Sequence, residues 1–120
     1  MTAMTTWITG DISLTQPLIF DHPTKNVVIL GKLSSEYDIT FKVQNLVVFG
    51  ELNTTKDISI KAEKDFFNSG SISGNNVKIV ADGSIYNSLN EVAIERIRAL
   101  GVDITQTLSG RLGVRVHLNS

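Results

Sequence analysis

The stretch Leu46-Val47-Val48-Phe49-Gly50-Glu51-Leu52 decides the fold, because its pattern recurs on both sides of it. A short β-rich run, a glycine, one further residue and then Leu or Ile make the unit. Upstream the unit reads Val27-Val28-Ile29-Leu30 followed by Gly31-Lys32-Leu33, and before that Thr6-Trp7-Ile8 followed by Gly10-Asp11-Ile12. Downstream it reads Phe66-Phe67-Asn68-Ser69 followed by Gly70-Ser71-Ile72. The glycines Gly10, Gly31, Gly50 and Gly70 are spaced 21, 19 and 20 residues apart. Seven or eight residues after each glycine an alternating apolar run begins: Leu18/Phe20, Ile39/Phe41/Val43, Ile58/Ile60/Ala62 and Val77/Ile79/Ala81. A fifth copy starts at Ile85-Tyr86-Asn87-Ser88 and has Leu89 where the glycine would stand.

Alternation with a period of two marks strands that bury one face. A repeat near 20 residues holding two or three such strands, with no long helix between copies, predicts a parallel β-solenoid. Its coils stack at the strand-to-strand distance of about 4.8 Å, so about four coils make a stub on the order of 20 Å long. The expected class is therefore mainly β, a parallel β-helix of about four coils. Residues 1–88 supply the repeats, and 89–120 supply a helix and short strands within the same structural domain.

Stacking places equivalent residues in columns. The column Ile8, Ile29, Val48 is apolar and continues as Asn68 and Asn87, where two readings stay open. Stacked amides can bond along a ladder, and Asn-Ser-Gly also favours a bend. Asp11, Lys32, Glu51 and Ser71 alternate in sign on the outer face, which favours this register. Asn26, Asn45, Asp65 and Ser84 are residue types that close turns with their own side chains. The glycines are expected at corners with positive φ or close backbone approach.

Beyond the repeat, Ser88 and Glu91 have the spacing of a capping box. Leu89, Val92, Ala93, Ile97 and Leu100 then recur at helical spacing, with Arg96 and Arg98 late and Gly101 at the C′ position. This predicts a helix over about 89–100, laid over the last coil, because an uncovered solenoid end exposes apolar edges and unpaired backbone. Strands are expected over Val102–Leu108 and around Leu112/Val114/Val116/Leu118. The N-terminal end has no comparable helix, which makes the first coil a candidate for self-association.

Composition narrows the function classes. The chain has 120 residues, 11 basic against 12 acidic side chains and a net charge of −1. No overall field draws it to nucleic acid or to an anionic membrane. No apolar run approaches the ~18 residues of a membrane span. Cysteine is absent, which excludes disulfides and thiolate chemistry. Met1 to Asp11 carry neither a basic n-region nor an apolar h-region, so no conventional signal peptide is expected there.

The run Phe66-Phe67-Asn68-Ser69-Gly70-Ser71-Ile72, continued by Ala81-Asp82-Gly83-Ser84-Ile85-Tyr86-Asn87-Ser88, resembles the repeats of filamentous-haemagglutinin-type proteins. The likeness is looser over 8–65. It implies a right-handed parallel β-helix in an exported bacterial adhesin, with a rod-like structural role and a host glycan or protein as partner. The Gly-x-(Ile/Leu) ladder also looks like that of bactofilins, cytoplasmic β-helical proteins that polymerise end to end.

Catalytic chemistry finds little purchase. Asp38 and Asp57 share a column seven residues after their glycines, and such a pair could in principle sit at the spacing of a retaining glycosidase. Each directly precedes a strand residue, where Asp usually closes a turn, and the next coil has Asn76 there. His22 and His117 have no partner at metal-ligand spacing. Neither a phosphate-binding loop nor a nucleophile-elbow motif occurs. Lys42 and Lys61 share an outward column with Lys56 and Lys64 nearby, which reads as a solvated wall. Trp7, Phe20, Phe41, Phe49, Phe66 and Phe67 read as core residues. The expectation is a non-enzymatic structural or binding module without cofactor or metal. A homo-oligomer through the solenoid ends is a possible partner state. A self-assembling scaffold is the alternative, and a carbohydrate-active enzyme the third reading.

Overall fold

A computed structural model of the chain describes residues 5–87 and 90–101. They form a parallel β-solenoid of about four coils with one short helix on its side. The first coil is traced by β1 (Thr5–Ile8), β2 (Asp11–Ser13) and β3 (Leu18–Ile29), the second by β4 (Lys32–Ser35) and β5 (Ile39–Val48). The third follows with β6 (Glu51–Thr54), β7 (Asp57–Ala62) and β8 (Phe66–Asn68). The last has β9 (Ser71–Ser73), β10 (Asn76–Ala81) and β11 (Ile85–Tyr86), followed by α1 (Glu91–Ala99). One wall is the sheet β2-β4-β6-β9; the other two walls share a sheet, because β3 and β5 run around the corner between them.

The registers explain the unequal spacing of the repeat. The glycine corner holds two residues each time: Thr9-Gly10, Leu30-Gly31, Phe49-Gly50 and Ser69-Gly70. Between Ser13, Ser34 or Asn53 and the next wall there are four residues. The third corner alone varies across these coils: Pro23–Asn26, then Gln44-Asn45, then Glu63–Asp65. The spacings of 21, 19 and 20 are this one corner changing length. His22 lies within β3, just before this corner.

Only Gly10 of the four repeat glycines has a positive φ, +77°. The other three are required by close approach instead. A Cβ on Gly31, Gly50 or Gly70 would overlap the carbonyl oxygen of the glycine one coil below. The corner backbones therefore lie directly on one another, which only a residue without a side chain permits. Successive coils are tied there by bonds such as Glu51 N–H to Gly31 O at 2.9 Å.

Alternate residues point inward and stack in columns, for example Ile12-Leu33-Leu52-Ile72 and Leu18-Ile39-Ile58-Val77. In the middle coils these are sealed: Leu52, Ile39 and Phe41 have no exposed surface. The outward column Trp7-Val28-Val47-Phe67-Tyr86 is also apolar. Helix α1 covers it, packing Ala93, Ile94 and Ile97 against Val28, Val47 and Phe67. The helix thus lies along the flank of the solenoid and not over its last coil. Exposed apolar surface on that wall demanded cover more than the coil end did, since its middle rungs would otherwise turn Val28, Val47 and Phe67 to water.

Three expectations about this region change. The helix opens at Glu91 and not at 89, and its N-cap is Asn90, whose Oδ1 accepts from the Ala93 amide at 2.8 Å; Ser88 of the expected capping box lies outside the described residues. Val92, expected on the apolar face, faces solvent, and Ile94, which that spacing left out, is buried. Trp7 is 43% exposed and lies on the outer wall, outside the core. Gly101 does take a positive φ, +89°, after the C-cap Leu100. Ser88, Leu89, His117 and the strands expected over 102–108 and 112–118 lie outside the described residues.

Candidate functional site

The polar side chains of the corners join one coil to the next. At the third corner Asn45 Nδ2 donates to Asn26 Oδ1 at 2.9 Å. The Asp65 amide donates to Asn45 Oδ1 at 2.9 Å, and the Ser84 amide to Asp65 Oδ1 at 2.8 Å. Asn26 and Asn45 are each 3% exposed, so this column is an internal polar ladder. Among the described residues no buried side-chain polar atom lacks a partner, as close packing requires. Arg96 of α1 approaches Asp65 from outside at 3.7 Å and fastens the helix to the same column.

The acid column behaves in the same way. Asp38 Oδ1 accepts from the Asp57 amide at 3.1 Å, and Asp57 Oδ1 accepts from Asn76 Nδ2 at 3.1 Å. These carboxylates close turns between successive coils. At the glycine corner Asn68 does two things at once. Its Nδ2 donates to Asn87 Oδ1 at 3.2 Å, and its Oδ1 accepts from the Gly70 amide at 3.0 Å. Both readings of that column therefore describe it.

Away from the wall that α1 covers, the outer faces are open and carry charged columns. Asp11, Lys32, Glu51 and Ser71 stack in the expected register. Lys42 and Lys61 are neighbours on adjacent rungs, and Lys61 Nζ contacts Asp82 at 3.1 Å and Glu63 at 4.0 Å. A shallow groove of about 430 Å³ runs beside them, between Pro23, Ser59 and Lys78. Another, of about 510 Å³, follows the glycine corner between Leu30, Lys32 and Glu51. The His22 ring stands edge-on to Phe20 at 4.7 Å. Among the described residues no three His, Asp or Glu side chains converge as metal ligands. No described helix is long and apolar enough to cross a membrane.

The ends differ from the walls. Ile12 stands in the column of buried Leu33 and Leu52, yet it is 39% exposed. Val77 extends the column of buried Ile39 and Ile58 and is 42% exposed, and Ile85 extends that of Phe66 and is 53% exposed. The core columns thus run out to both ends uncovered by any described residue. The outer edges of β2 and of the Leu18–His22 part of β3, and those of β9 and β10, have no strand partner among the described residues. Sequence reasoning identified the first coil as such an edge and assigned the last coil a cover.

No family model, no curated protein and no solved structure matches the chain.

Proposed function

We propose that this chain is a non-enzymatic structural or binding module, of the kind that haemagglutinin-like surface proteins build by repetition. One observation carries the reading: the acids of the two corner columns, among them the Asp38/Asp57 pair, are engaged in holding coil to coil. Asp38, Asp57 and Asp65 each accept a hydrogen bond from the following coil. A carboxylate so held is a corner cap, and the walls beside it present mixed charges to solvent. A self-assembling scaffold of bactofilin type is the second reading, favoured by the core columns left open at the two ends.

The test pairs turnover with stability. The wild type, Asp38→Asn and Asp57→Asn are incubated with a panel of neutral, uronic-acid and sulfated polysaccharides, and their melting temperatures are compared. The expected result is no product above the buffer control and only a small change in melting temperature, because Asn keeps the acceptor oxygen. Turnover that disappears in Asp57→Asn while the fold survives would replace this reading with the enzymatic one. A glycan and host-protein array then identifies what the walls bind.

A further inference from the structure

We infer that the chain's own segment 109–118 docks on the open edges of β9 and β10 and closes the last coil. The inference stands apart from the structural-module reading and concerns only what occupies that edge. It starts from the rungs. Among the described residues the wall β1-β3-β5-β8-β11 has five. The wall β2-β4-β6-β9 has four, and so has the wall of Leu18–His22, β5, β7 and β10. A fifth rung is thus made on one wall and left unmade on the next two. The edge has room for two strands and for no third.

The glycine corner accounts for the break. Asn87 bonds to Asn68 across the rung, so Leu89 falls where Gly70 stands one coil below. A Cβ on Gly31, Gly50 or Gly70 would overlap the carbonyl oxygen of the glycine beneath it, and a leucine on Gly70 would meet the same obstacle. The next glycine in the same setting is Gly110, 40 residues after Gly70, or two repeats of 20. Gly110-Arg111-Leu112 restores the Gly-x-(Ile/Leu) element. Leu118 then follows Leu112 by six residues, as Leu18 follows Ile12, Ile39 follows Leu33 and Ile58 follows Leu52. In the coils that spacing carries the chain from one wall, round a corner, to the start of the next.

Continuing the registers sets Leu112 on Ile72 and Leu118 on Val77. Ile58, one coil below Val77, is 1% exposed and Val77 itself 42%, so the added rung buries apolar surface that the coil leaves open. Arg111 falls on Ser71 in the outer column and sets no like charges together. The ladder supplies a specific bond as well. The Leu18 amide donates to the Asp38 carbonyl of the next coil at 3.1 Å; one rung beyond the last coil, the same bond joins the Val77 amide to the His117 carbonyl. The nine steps from Gly101 to Gly110 span about 30 Å when extended, and α1 packs beside Phe49, the neighbour of Gly50. The segment therefore reaches the corner of its own chain, and the first coil remains the end open to a partner.

The test exploits the absence of cysteine from the chain. Ser71→Cys with Arg111→Cys puts two thiols on neighbouring rungs, within the Cα separation of about 4.4–6.8 Å that a disulfide bridges. Ser71→Cys with Arg115→Cys is the mismatched control, its second thiol in the next corner. Circular dichroism confirms the fold of both full-length variants. With oxidised glutathione as the electron acceptor, the first pair is expected to lose both thiols and to stay monomeric by light scattering, and the control to form no such bridge. A disulfide-linked dimer would assign the edge to the segment of a second copy. A first pair that forms no bridge, or a control that bridges as fast, would show that the segment does not lie in this register. Each of these overturns the inference. Amide exchange on the intact chain gives an independent readout. The Val77 amide is expected to be protected in the wild type and to lose that protection in Gly110→Val and in Leu118→Asp, with β5 unchanged. A fast Val77 amide in the wild type would overturn the inference equally.

Discussion

Asn45 donates its side-chain amide to Asn26 at 2.9 Å inside a corner where both residues are 3% exposed. The bond crosses from one coil to the next, and the other end of Asn45 accepts from the Asp65 backbone, so the amide is satisfied on both sides. A side chain in this position fixes the vertical registration of two rungs. A shift of one residue would leave both partners buried and unpaired, an outcome that costs more than the bonds themselves contribute.

Removing that amide tests the point. Asn45→Ala orphans Asn26 Oδ1 and the Asp65 N–H. At roughly 1–3 kcal/mol per buried orphan, the loss should be ~2–4 kcal/mol in urea unfolding. A loss below about half a kcal/mol would show that water reaches the corner freely.

The glycine corner gives a second test, by comparing two alanines. Gly50→Ala places a Cβ on the carbonyl oxygens of Gly31 and Leu30. Those are backbone atoms locked in the ladder, so the cost should reach or exceed the top of the ~1–3 kcal/mol range for overpacking. Gly10→Ala meets no atom within 4 Å and bears only the strain of a φ of +77°, about 1–2 kcal/mol. Equal melting temperatures for the two variants would contradict the close-approach explanation.

Helix α1 should detach before the solenoid unfolds. Nine residues are too few to hold a helix in water alone, so its structure depends on the flank it covers. Ile97→Ala removes a fully buried side chain from that contact. The expected loss is about 2–5 kcal/mol from the contact, seen as fast hydrogen exchange over 91–99 with slow exchange kept in β5 and β7. Uniform acceleration across all strands would mean that helix and coils unfold as one unit.

The two partners of the Arg96–Asp65 pair should respond unequally. Arg96 is half in solvent, its side chain 56% exposed against 13% for Asp65. Arg96→Ala should cost less than ~1 kcal/mol, as exposed pairs do. Asp65→Ala also removes the acceptor of the Ser84 amide and should cost more, whereas Asp65→Asn keeps that acceptor and should retain most of the stability. A thermal-melt series with Arg96→Ala as the most damaging of the three would overturn this ordering.

The periodic part of this architecture was legible because it rests on two signals that survive in one dimension. Glycine returns wherever corner backbones touch, and apolar residues return at every second place wherever a wall faces the core. The buried Asn26–Asn45 ladder was harder to read, since asparagine near a turn looks the same whether its amide faces water or another asparagine. The place of the helix had a signal that went unread. Val27-Val28-Ile29, Leu46-Val47-Val48 and Phe66-Phe67 are consecutive apolar runs, and a strand without alternation is buried on both faces. Those runs called for a cover on the flank, and α1 is that cover.

The corner that holds Pro23–Asn26, Gln44-Asn45 and Glu63–Asp65 has one further consequence. It is the place where the chain can gain or lose residues while every wall keeps its pairing, because the difference is absorbed before the next strand begins. Foreign sequence spliced in after Pro23 would project from one edge of the prism and leave the rungs unchanged. Close relatives of this protein should carry their insertions and deletions there, and none between Ile29 and Lys32, where the backbones touch.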